Sequence, residues 1–98
     1  MRTIVGTTTV TTAGTEVQVR NVAAEKVRAI SFKARVANTG VIYVGGDSAV
    51  SSTNGYTLSA GESVSIDYGD RGGEDAKTFW VDCSVNGERV DWILITDI

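Results

Sequence analysis

One residue in three of this chain branches at Cβ: valine, threonine and isoleucine supply 33 of the 98 residues, while leucine occurs only at Leu58 and Leu94. Branching restricts χ1 and suits a pleated surface better than a helix, so such a chain builds sheets. The one helix-like run, within residues 23–28, is shorter than a stable helix and reads as a connection. The 11 glycines fall mostly between apolar runs, where turns need backbone freedom, and no proline is present to guard a sheet edge.

Alternation at period two outlines the strands. Thr3 to Thr12 is nearly all β-branched and reads as a strand of open register. Residues 1–12 are thus either a first strand or an N-terminal β arm that adds to a neighbouring subunit, and residues 13–98 a single β-sandwich domain. Val17 and Val19 alternate with polar residues. From Val27 to Ala37, Ile30, Phe32, Ala34 and Val36 face one way and Ser31, Lys33 and Arg35 the other. Asn38-Thr39-Gly40 then reads as a hairpin loop returning through Val41 to Val44, with Val36 opposite Ile42 and Tyr43 beside Arg35 outside. Gly45 to Tyr56 and Gly69 to Lys77 are surface loops, separated by Leu58 and the alternating Val64, Ile66 and Tyr68. Phe79, Val81, Cys83 and Val85 alternate up to Asn86-Gly87, and Val90, Trp92 and Leu94 away from it, the pattern of a closing two-residue hairpin. Its register sets Val81 against Trp92 inside, and Asp82 against Asp91 and Trp80 against Ile93 outside. The expectation is an all-β chain: an antiparallel β-sandwich, jelly-roll-like, or a small barrel of about seven to eight short strands.

The chemistry open to this chain is narrow. It has no histidine, which removes serine–histidine triads, imidazole bases and histidine metal ligands. Lone Cys83 lies on the core side of its strand and reads as a small buried hydrophobe. No catalytic residue, cofactor or metal site is expected. A net charge of −3 and the absence of a basic cluster beside the aromatics argue against nucleic acid. No run reaches the ~20 apolar residues of a membrane span, and the N-terminus lacks the basic-then-apolar order of a signal peptide, so no membrane partner is expected.

Three features remain. The opposed Asp82 and Asp91 would be mutually destabilising unless Arg89 neutralises them; they could also rim an apolar patch of Trp80, Ile93 and Ile95, or least plausibly form a glycosidase pair. Asp67, Asp70, Glu74 and Asp75, with Gly69, Gly72 and Gly73, read as a solvated acidic loop before they read as a weak calcium site. The long, uncharged, proline-free Thr3 to Thr12 segment invites pairing with another chain. The candidate protein-binding residues are therefore Ile4, Val5, Val10, Trp80, Ile93 and Ile95.

Asn38-Thr39-Gly40-Val41-Ile42-Tyr43-Val44-Gly45-Gly46, followed by Asn54-Gly55-Tyr56-Thr57-Leu58-Ser59-Ala60-Gly61-Glu62-Ser63 and a closing aromatic hairpin, resembles short β-sandwich virion proteins of tailed bacteriophages. The resemblance runs from Asn38 to Ile95. It implies a non-catalytic structural role on the particle: a capsid decoration or cement protein, a head-fibre piece or a tail component. The expected partners are the major capsid protein and further copies of the chain, a trimer being favoured, on the outer capsid surface. A carbohydrate- or receptor-binding module using the Gly45 to Tyr56 loop with Tyr43 and Tyr56 is the alternative.

Overall fold

A computed structural model of the chain describes residues 2–22, 25–69 and 73–96. The described residues form eight strands: β1 (Arg2–Val10), β2 (Val17–Gln18), β3 (Val27–Ala34), β4 (Ile42–Gly45), β5 (Tyr56–Leu58), β6 (Ser63–Asp67), β7 (Trp80–Cys83) and β8 (Glu88–Thr96). They form two four-stranded antiparallel sheets, β1-β8-β3-β6 and β2-β7-β4-β5. The molecule is a sandwich and not a closed barrel. Every connection crosses from one sheet to the other except β4 to β5, and this strand order is that of an eight-stranded jelly roll.

The period-two pattern places the core. On the first sheet Ile4, Leu94, Ile30 and Ile66 form one inward row, and Gly6, Trp92, Phe32 and Val64 the next. β8 lies between β1 and β3, and its Val90, Trp92 and Leu94 are buried while Ile93 is exposed. The second sheet answers with Ile42, Val44, Leu58, Val81 and Cys83, all buried. Phe79, just before β7, packs its ring 5.7 Å from that of Phe32 and joins the two layers. A register shift between Val27 and Ala29 bulges β3, so that Val27 and Ile30 both turn inward.

Two expected hairpins are absent. β3 and β4 lie in different sheets, as do β7 and β8, so the turns at Asn38-Thr39-Gly40 and Asn86-Gly87 are arches between layers. Val36 and Val85, expected inside, lie on these arches at 75% and 42% exposure. The two arches are bonded to each other. Asn38 donates from Nδ2 to the Arg89 carbonyl and accepts at Oδ1 from the Arg89 amide, as a peptide group would. Buried Glu88 accepts at Oε1 from both the amide and the hydroxyl of Thr39, each at 3.0 Å. Ser84 closes the seam, donating its amide to the Val41 carbonyl and accepting the Val41 amide at Oγ. Turn-forming residues set where a chain bends; which sheet receives the next strand depends on partners remote in sequence. Gly87, at φ +83°, still has the left-handed backbone that the Asn-Gly turn demands.

The serine-rich loop after β4 is also more structured than its composition suggests. Val50 is buried, and its side chain fills the space above Gly45 and beside Gly55 that a Cβ at either position would occupy.

Candidate interaction surface

The outward residues of the first sheet form three rows: Thr3-Ile95-Ala29-Asp67, Val5-Ile93-Ser31-Ser65 and Thr7-Asp91-Lys33-Ser63. The face is rich in hydroxyls, with its apolar part toward β1, where Val5 is 71% and Ile93 45% exposed. A shallow hollow of about 380 Å³ runs over it between Val5, Ile93, Ser31 and Ser65.

Of the six residues expected to bind protein, Val5, Ile93 and Ile95 come together here, although the sequence pattern groups Ile93 and Ile95 with Trp80 and not with Val5. The other three do not belong to it. Val10 is fully buried and Ile4 is a half-buried core neighbour, because even-numbered positions of β1 point into the sandwich. Trp80 lies on β7 in the opposite sheet, beside Gln18 and Gly45, so the expected patch of Trp80, Ile93 and Ile95 is split between layers.

The opposed carboxylates separate for the same reason. Asp82 is buried on the second sheet and accepts at Oδ1 from the amides of Gly14 and Cys83, at 3.0 and 2.8 Å. Asp91 sits on the outer face of the first, taking a hydrogen bond from Thr7 at 2.7 Å and contacts of 3.0 and 3.1 Å from Arg35 Nε. Arg35, expected beside Tyr43, is engaged here instead. The two acids therefore cannot act as a catalytic pair, and Arg89 is not what neutralises them.

Partial burial pushes the Asp91 carboxyl up, but the hydrogen bonds of Thr7 and Arg35 and the charges of Arg35 and Lys33 outweigh it and hold the group below its usual range. A carboxyl whose folded pKa is depressed adds stability that is complete above its unfolded pKa, about 4, and fades as pH falls through the lower folded value. Both partners are 39% exposed, so solvent screening limits the gain to about 0.2–1 kcal/mol. Asp91→Asn should therefore be slightly less stable than the parent at neutral pH and equal to it in strong acid, as read from urea midpoints across that range.

Two further hollows lie elsewhere. At the open edge between β5 and β6 a cleft of about 390 Å³ has an apolar floor of Val44, Val64, Ile66 and Phe79, with Tyr56, Tyr68 and Glu74 around it. Burial, and then the nearby Glu74 charge, push the Tyr68 hydroxyl above its ordinary pKa. Tyr43 lines a different hollow with Ser51, Ser52 and Asp82, so Tyr43 and Tyr56 do not converge on one ligand. In the acidic loop, Asp67 accepts from the Gly69 amide and Asp75 caps the short 3-10 turn Ala76–Thr78, while Asp70, Arg71 and Gly72 lie outside the described residues. Among the described residues no group of three or more acids or cysteines is placed to hold a metal ion. Cys83 is buried, and burial pushes its thiol pKa up, away from thiolate chemistry.

No family model, curated protein or solved structure matches the chain.

Proposed function

We propose that this chain is a non-catalytic structural subunit of a tailed-phage virion, a capsid decoration or cement protein that docks on the major capsid protein at the outer surface of the shell. The observation that carries the reading is the outer face of the first sheet, where Val5, Ile93 and Ile95 leave an apolar strip in a field of serine and threonine hydroxyls. Such a strip, rimmed by polar residues, is the usual form of a protein-binding surface. The jelly-roll strand order, which viral capsid domains use among others, and the resemblance of residues 38–95 to short virion proteins agree with it. Contacts made only on an assembled shell stabilise that state by mass action, without any reaction.

Ile93→Lys should abolish cosedimentation of the purified protein with shells of the phage that encodes it, leaving its β-sheet circular dichroism unchanged. Equal binding by parent and variant would remove this face from the role. Genes for a major capsid protein or its protease beside this one would favour a head location, tail genes a tail location. The cleft between β5 and β6 favours a second reading, a carbohydrate- or receptor-binding module, because Tyr56 and Tyr68 flank an apolar floor beside a carboxylate. Saturable glycan binding that is lost in Tyr56→Ala would support it.

A further inference from the structure

The four edge strands of the sandwich are unequal. β2 has two residues and β5 three; β6 has five and is bounded by Glu62 and Asp67. Shortness and charge are the ordinary protections of a sheet edge. β1 is longer and barer: it runs for nine residues, pairs among the described residues only with β8, and beyond Arg2 at its start carries no charge, proline or bulge from Thr3 to Val10.

Which backbone groups this edge offers follows from the ladder. The Arg35 amide donates to the Arg89 carbonyl, so Arg89 turns toward β3, and Val90, one residue on, turns toward its β1 partner Thr8. The Val10 carbonyl accepts from the Gly87 amide, in the same sense. Even-numbered residues of β1 thus bond to β8, and alternation leaves the amides and carbonyls of Thr3, Val5, Thr7 and Thr9 directed at the free edge. The side chains of these same residues lie on the outer face, and all are exposed.

We propose that β1 pairs antiparallel with β1 of a second copy about a two-fold axis through Val5, joining two first sheets into one continuous eight-stranded sheet. In this register Val5 faces Val5 of the second copy, and Thr3 faces its Thr7. The row Ile93-Val5 then continues into Val5-Ile93 of the second copy, covering the most exposed apolar side chain of the face with its own equivalent. Threonine meets threonine on either side, a pairing sheets favour, and no like charges are opposed along the strand. A two-fold contact of this kind is self-complementary and closes at the dimer, which replaces the expected trimer. The pairing takes its purpose from the proposed structural role, since it doubles the face offered to a shell, but it is detected without one.

Sedimentation equilibrium of the purified chain should show a monomer–dimer equilibrium in the micromolar range. Val5→Lys puts an ammonium group against its own copy and should weaken the dimer at least about tenfold. Val5→Pro removes an amide that serves only the edge and should weaken it as strongly. Ile93→Lys lies one strand in and should leave the dimer intact. Independently of any variant, the Val5 amide of the parent should be protected from hydrogen exchange in concentrated solution and lose that protection on dilution. A parent that stays monomeric, a parent that forms trimers, or a Val5 amide that exchanges equally fast at every concentration would each overturn the pairing. A dimer that fails to bind shells would leave the pairing standing and remove the virion role.

Discussion

Phe32→Ala should cost about 3–5 kcal/mol, the range for emptying a fully buried aromatic site. Phe32 is 0% exposed, sits between Trp92 and Val64 in its row, and carries the contact with Phe79 that joins the two layers. Domains of this size hold only about 5–15 kcal/mol in all, so the variant should melt more than about 12 °C below the parent or fail to fold. Thermal unfolding followed by circular dichroism measures it. A loss under about 1 kcal/mol would mean that the layers do not meet through this ring.

Gly6→Val should cost about 2–3 kcal/mol, as overpacking of a filled core does. A Cβ on Gly6 would fall 2.3 Å from Cζ2 of Trp92. The indole has little room to yield: its Nε1 donates to Thr8 Oγ1 at 3.0 Å, and the Arg20 guanidinium lies 5.9 Å from the ring centroid. Arg20 is itself held by a two-pronged ion pair with buried Glu25. Gly46→Ala is the matched control, since nothing lies within 4 Å of a Cβ there, and it should change stability by less than about 0.5 kcal/mol. Urea midpoints of the three proteins, with tryptophan emission as a second readout, decide the matter; equal midpoints would show that the indole does not lie over Gly6.

These two residues mark the limits of what alternation reveals. Phe32 could be placed in the core from its neighbours alone, because Ile30, Phe32 and Ala34 repeat at the period of a strand with one wet face. Gly6 could not, because a glycine in a β-branched run says only that something approaches closely, and what approaches is Trp92, far along the chain. The same holds for the surface. Ile93 was recognisable as an outward apolar residue, but the register of Thr3 to Thr12 was open, so both the outward turn of Val5 and its union with Ile93 depend on β1 pairing with β8. Trp80 was grouped with Ile93 by a hairpin register that both strands satisfy locally and neither adopts.

By itself the sequence determined the all-β class, the positions of most strands and the inward side of those that alternate cleanly, because Cβ branching and period-two alternation act between near neighbours. Tertiary structure alone decided which strands are neighbours. An Asn-Gly or Asn-Thr-Gly turn supplies the same bend whether the chain returns within one sheet or arches to the other. The choice is made by bonds that close only in the folded molecule: Asn38 to Arg89, Thr39 to Glu88 and Ser84 to Val41. That choice sets β1 at an edge, with Val5 exposed beside Ile93.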